Sequence, residues 1–369
     1  MNASGMLLYA SVTYILWGVT YTMMDIPYWS MVPAFTESGK ERESLSAFAR
    51  SCAGVGSALI SIITVKVVIA LGTKLGGDTE TEINRIGYSK FALIIAVLFV
   101  VFTLITCLCI KEKSSVDMQT ASVKDMIKAL VSNSQAMTVV VAIVMINTAL
   151  YITQTLVYFF LKYDFSPANY ANDFTLFNIV GGGFQILSMM IFFPLLRKVM
   201  DTLKIFYTCF FMAVIGYVMI LIESVAGAND IRLLLIPAAI IMSAVGMLNV
   251  IITIFLANTV DFGEWKNHRR DESVIFSMQT FVVKLASGFA AFISNMILAI
   301  FAISSDKDAV VVEPISDVAR MGLRGSMTII PMIVLCIGFI VFKKKYILTD
   351  AKLEEITADL HKRKEAATK

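Results

Sequence analysis

The stretch Tyr21-Thr22-Met23-Met24-Asp25-Ile26-Pro27-Tyr28-Trp29-Ser30 puts a carboxylate inside an apolar run that extends from about Met6 to Phe35. At 1.5 Å per residue, a helix over that run crosses a hydrocarbon layer of ~30 Å. An aspartate facing lipid there costs at least ~2.5 kcal/mol, so Asp25 is expected to face a polar interior and to belong to a site. Tyr21, Asp25 and Trp29 recur every fourth residue and share one helix face. A carboxylate between two aromatics with hydrogen-bonding tips suits a sugar. The bland alternative is that Tyr21 and Trp29 simply pack. Pro27 removes a backbone donor and is expected to loosen the helix there.

The composition agrees with a bilayer setting. The 369 residues are 57% hydrophobic and 16% charged, and mean hydropathy is +0.77. A soluble globule is excluded. Phe and Tyr far outnumber Pro, and strand-like alternation is absent. The expected fold is therefore all-α, a polytopic membrane helix bundle. Nine candidate spans fall at roughly 6–35, 46–71, 87–110, 137–162, 170–196, 205–224, 231–258, 274–303 and 325–346. The N-terminus has no basic region followed by a small-residue cleavage site, so no signal peptide is expected.

Orientation follows from the basic residues. Segments 36–45, 111–128, 197–204, 261–272 and 343–369 hold 20 of the 31 Lys and Arg, and the alternate segments hold 8. The first set is expected to be cytoplasmic, which places the C-terminus inside and the N-terminus outside. Val123, Met126, Ile127 and Leu130 lie at helical spacing and suggest a short amphipathic surface helix within 111–136. The tail 351–366 carries Leu353, Ile356 and Leu360 on one face and reads as a solvated or surface-lying helix.

Three cations remain within spans: Arg50, Lys66 and Lys284. Lys66 lies near the outer end and is expected to snorkel. Arg50 either snorkels inward or contacts a substrate or carboxylate through its planar donor fork. Lys284 and Asp25 each lie about ten residues, ~15 Å, from the cytoplasmic ends of their spans. Opposite charges at matching depth point to a central cavity. Two interior cations facing one acid leave the charge unbalanced.

Val12 to Gly18 running into Tyr21–Pro33 resembles the fourth span of the glycoside–pentoside–hexuronide:cation symporters, the melibiose carrier-like branch of the major facilitator superfamily. Asp261-Phe262-Gly263-Glu264-Trp265-Lys266 through Glu272, Gln279-Thr280 and Lys284 resembles that family's loop after span ten and its span eleven. The resemblance covers the chain and begins at span four, so the family's first three spans are absent from it. It implies a truncated N-terminal bundle of three spans (1–110), a cytoplasmic linker (111–136), a C-terminal six-helix bundle (137–346) and a cytoplasmic tail (347–369).

By the same resemblance Tyr21, Asp25, Trp29 and Arg50 match sugar contacts, Thr22 matches a residue beside the coupling cation, and Lys284 matches a lysine joining the two halves, with Thr280 one turn before it. Asp261, Glu264 and Arg270 match charged residues of inside gating; a solvated, positive-inside turn is the alternative for that loop. Asn249 stands where the family has a tryptophan and Asn258 where it has an aspartate, so the pocket is expected to differ in the sugar it takes.

The implied activity is symport of a sugar or glycoside with Na+ or H+ by alternating access, in the cell (inner) membrane, with no cofactor. Two alternatives stand beside it: a non-transporting remnant or fragment, and the same fold with a hexuronide or lipid-like cargo. No catalytic triad or basic–aromatic surface for nucleic acid is present in the sequence, so neither an enzyme nor a nucleic-acid binder is expected. Five cysteines in apolar runs and two histidines give neither a disulfide framework nor a zinc site. Gly181-Gly182-Gly183 lacks the Lys-Ser/Thr of a phosphate loop and reads as a site of close helix packing.

Overall fold

The computed structural model describes residues 3–35, 39–76, 79–110, 128, 131–227, 230–267, 272–304 and 314–368. They form α1 (Ala3–Phe35), α2 (Gly39–Lys74), α3 (Glu80–Cys109), α4 (Ser134–Phe160), α5 (Tyr170–Leu187), α6 (Thr202–Val225), α7 (Ile231–Asn267), α8 (Glu272–Ile300), α9 (Asp317–Lys345) and α10 (Asp350–Thr368). A π-helical turn, Leu161–Phe165, prolongs α4; a second, Ser188–Phe192, leads α5 into a last turn, Phe193–Arg197. Among the described residues, eight helices are long and apolar enough to cross a membrane. The expected span 46–71 lies within α2, which is 36 residues long.

The chain divides into two compact units: Met1–Ala47 with Met118–Lys369, and Phe48–Asp117. In the first, α7 is the centre. It is apolar on all sides, as a helix enclosed by others must be, and from Ile241 to Gly263 nearly every residue is buried. It packs against α5, α6, α8 and α10, while α4 packs against α8 and α9. Gly246 lets α7 approach α5 closely, because a Cβ there would run into Ser188 Oγ and Gln185 O. Of the glycine triplet only Gly181 meets α7, at Met242; Gly182 and Gly183 face open space, so close packing holds for the first alone. The π turn before Pro194 widens the helix where a ring without an N–H would otherwise meet the preceding carbonyl.

Between α6, α7 and α9, Phe206, Phe255, Phe342 and Tyr346 stack with centroids 4.4–5.6 Å apart. Tyr217 is fully buried, and its hydroxyl shares a 2.8 Å hydrogen bond with Thr153 Oγ1, which removes the cost of a lone polar group there. Two buried amides tie the start of α4 to its neighbours. Asn133 Oδ1 caps α4 by accepting from Ala136 N (3.0 Å), and its Nδ2 donates to Thr259 O on α7 (2.8 Å). Gln135 Nε2 donates to Lys345 O, and its Oε1 accepts from Ile347 N. At the other end of α4, Arg324 Nε and Nη2 donate to Asp164 at 2.6 and 2.8 Å.

In the second unit α2 meets α3 through two glycines. A Cβ on Gly72 would run into Ile83 O, and one on Gly87 into Val68 O. Thr79 Oγ1 caps α3 by accepting from Glu82 N. Lys66 is exposed on α2.

Three expectations change. The block from Asp261 is not a loop: α7 continues through it to Asn267. The start of the last apolar span moves back from 325 to Asp317, where Ser316 Oγ caps α9 by accepting from Ala319 N. The tail helix is docked on α7. Ile356 and Leu360 are buried, Trp265 Nε1 donates to Asp359 (2.8 Å), Arg363 donates to Trp265 O (3.0 Å) and Lys352 Nζ lies 5.3 Å above the Trp265 ring. The amphipathic stripe at Val123, Met126, Ile127 and Leu130 lies outside the described residues.

Candidate functional site

α1 runs as one helix through Pro27 to Phe35, so the four-residue spacing read from the sequence holds Tyr21, Asp25 and Trp29 on one face. Asp25 is half-buried and accepts from three donors. Trp29 Nε1 reaches Oδ1 at 3.0 Å, Tyr21 Oη reaches the same oxygen at 3.4 Å, and Thr280 Oγ1 of α8 reaches Oδ2 at 3.0 Å. The first and last are good charge-assisted hydrogen bonds, worth ~1.5–3 kcal/mol each where water is excluded; the tyrosine bond is long and weaker. Trp29 is buried, so its indole edge serves the carboxylate.

Lys284 follows Thr280 by one turn on α8, and Tyr21 precedes Asp25 by one turn on α1, so the antiparallel helices present two levels. At the second level the Lys284 ammonium lies 5.3 Å from the Trp17 ring and 5.7 Å from the Tyr21 ring. Those rings stack at 5.5 Å with an interplanar angle of 22°. Aromatic faces receive this cation, a solution to the charge imbalance that counting acids and bases does not reveal. Thr22 Oγ1 donates to Gly18 O at 2.7 Å.

Among the described residues, the other expected ones lie on other helices. Asn249 is half-buried on α7, and its carbonyl accepts from Thr253 Oγ1. Asp261 is buried and Glu264 half-buried on the same helix. Arg50 is half-buried on α2 in the second unit, and Arg270 lies outside the described residues.

Two features escaped the sequence reading. Trp17 extends the Tyr21–Asp25–Trp29 stripe one turn back, and its spacing of four was the available signal. The second is a polar tie beside the end of α5. Glu43, at the start of α2, accepts from Arg197 Nε (2.6 Å) and from Thr202 Oγ1 (3.0 Å), while Arg197 Nη2 donates to Asp350 at the start of α10 (2.7 Å). These charges sit among ordinary flanking residues and had no periodic signature.

A bundle of membrane-length helices with one carboxylate gripped between two of them defines a polytopic membrane protein. Residues 1–350 match the model of the MFS/sugar transport protein family, and the chain belongs to that family. Among its relatives, the raffinose carrier protein of Pediococcus pentosaceus is 27% identical over 98% of this chain and 55% of that protein. The lactose permease of Lactobacillus delbrueckii subsp. bulgaricus is 24% identical over 95% and 54%. The inner membrane symporter YicJ of Escherichia coli is 23% identical over 98% and 74%. The chain thus spans about half the length of the first two and about three quarters of the third.

Proposed function

We propose that this chain is a secondary active carrier that moves a glycoside together with Na+ or H+ by alternating access. The observation that carries the reading is Asp25, a carboxylate within a membrane-length helix that accepts from Trp29, Tyr21 and, across the α1–α8 contact, Thr280. Such a group is retained in an apolar setting for binding polar cargo. The names of the relatives, a raffinose carrier, a lactose permease and an inner membrane symporter, support a sugar as cargo and co-transport as the mode.

In this reading Asp25 and Arg50 exchange hydrogen bonds with sugar hydroxyls, Tyr21 and Trp29 add aromatic contacts, and Asn249 and Lys284 face the cargo. Thr22 and Thr280 lie beside the coupling cation. Asp261, Glu264 and Arg270 act in the inside gate, together with the Glu43–Arg197–Asp350 tie. Residues 1–110 form the N-terminal bundle, 111–136 the cytoplasmic linker, 137–346 the C-terminal bundle and 347–369 the tail. The Lys and Arg distribution supports a cytoplasmic C-terminus in the cell's inner membrane. Alternating access then breaks ties at one face as the cavity opens there and forms them at the other.

The test is uptake of radiolabelled raffinose and lactose into proteoliposomes under an imposed Na+ or H+ gradient, beside Asp25→Asn. Loss of one charge-assisted bond of ~1.5–3 kcal/mol lowers apparent affinity roughly 10- to 100-fold. Gradient-driven uptake that is insensitive to Asp25→Asn would remove Asp25 from the site. Uptake of a glucuronide or a lysolipid in place of both sugars would favour the other cargo. No uptake of any of them by a correctly inserted chain would favour the non-transporting reading.

A further inference from the structure

We propose that Trp17 is a positioning residue for Lys284: with Tyr21 it forms a two-ring rest that holds the ammonium one turn away from Asp25. The geometry is direct. Lys284 Nζ lies within 6 Å of both ring centroids, the range in which the negative faces of aromatic rings attract a cation. The rings are nearly parallel and 5.5 Å apart, so one cation meets both. Trp17 is 55% exposed, and its ring contacts are with Tyr14, Tyr21 and the Lys284 ammonium. Thr280, one turn before Lys284, holds Asp25 Oδ2 at 3.0 Å, which fixes the register between the two levels.

The chemistry that follows is a division of labour. Ring faces can hold the ammonium without its donating a hydrogen bond to Asp25, so the carboxylate keeps its two oxygens for Trp29, Tyr21 and Thr280. Were Trp17 only a small side chain, the flexible four-carbon stem of Lys284 would let the ammonium swing toward Asp25, the nearest acid on the same helix stripe. An ion pair formed there would compete with any cargo that uses Asp25. The functional consequence rests on the reading of Asp25 as a cargo site; the placement of Lys284 does not.

The experiment separates the two. Lysines of the native chain are reductively methylated with 13C-formaldehyde, and the dimethylamino signal of Lys284 is assigned by its absence in Lys284→Arg. Ring currents are expected to displace that signal upfield from the other lysines in the native chain. The displacement should be lost in Trp17→Leu, which keeps bulk without a ring, and retained in Trp17→Phe. A native signal among the others, or a Trp17→Leu signal that stays displaced, overturns the proposal. Raffinose and lactose binding are measured on the same samples. Weaker binding in Trp17→Leu with rescue by Trp17→Phe supports the consequence. Displaced signals with no sugar binding even in the native chain leave the rest standing and sink the cargo reading instead.

Discussion

Replacing Arg324 with Gln should strand a buried carboxylate. Arg324 meets Asp164 through two hydrogen bonds of 2.6 and 2.8 Å, and the side chains are 20% and 3% exposed. Two unit charges at ~4 Å attract by ~4 kcal/mol at an effective dielectric of ~20. Removing one partner of a buried pair costs ~3–5 kcal/mol because the other is left uncompensated. Arg324→Gln should therefore lose ~3–4 kcal/mol. The double variant Asp164→Asn/Arg324→Gln, with no charge left to desolvate, should lose ~1.5 kcal/mol or less. The assay is reversible unfolding in dodecyl maltoside micelles titrated with sodium dodecyl sulfate and followed by far-ultraviolet circular dichroism. A single-variant loss under ~1 kcal/mol, or a double variant equal to the sum of the singles, would refute the reasoning, since coupled partners must be non-additive.

Gly246→Ala should cost ~1–3 kcal/mol by the same assay, because the new methyl meets Ser188 Oγ and the Gln185 carbonyl. Gly288→Ala on α8, with nothing within 4 Å of its Cβ, should be neutral or gain up to ~1 kcal/mol. Asn133→Ala removes both the α4 cap and the partner of Thr259 O, and a loss of ~1–3 kcal/mol should appear in the same titration. Arg197→Gln breaks the Glu43 and Asp350 contacts; partly exposed pairs of this kind are worth ~1 kcal/mol. Maleimide labelling of Ser46→Cys, at a fully buried position, should then rise roughly fivefold, and an unchanged rate would remove the tie from control of that face.

How far the sequence reached depended on periodicity. The stripe from Tyr21 to Trp29 was legible because a helix returns to the same face every fourth residue, and the structure accordingly puts Tyr21 and Trp29 on Asp25; the third donor, Thr280, comes from α8 and had no such signal. The end of α7 was not. Hydropathy stops at Asn258, yet the helix runs on through Asp261 and Glu264, since backbone hydrogen bonding does not require an apolar side chain. The docking of α10 was hidden for a related reason. Ile356 and Leu360 make a stripe too thin to tell a surface helix from a packed one, and the decisive contacts of Trp265 with Asp359 and Arg363 span nearly a hundred residues. The Glu43–Arg197 and Asp164–Arg324 pairs are farther apart still, by 154 and 160 residues, and only folding brings them together.

The placement of Trp265 beneath α10 also turns the molecule into its own reporter. The chain has three tryptophans, and the other two, Trp17 and Trp29, lie in the Asp25 cluster. Exchanging those two for phenylalanine leaves a single emitting indole, wedged between Lys352 and Asp359. When the terminal helix lifts, Nε1 trades a carboxylate for water and the emission shifts to the red. The state of the tail can then be followed in real time, with no dye attached.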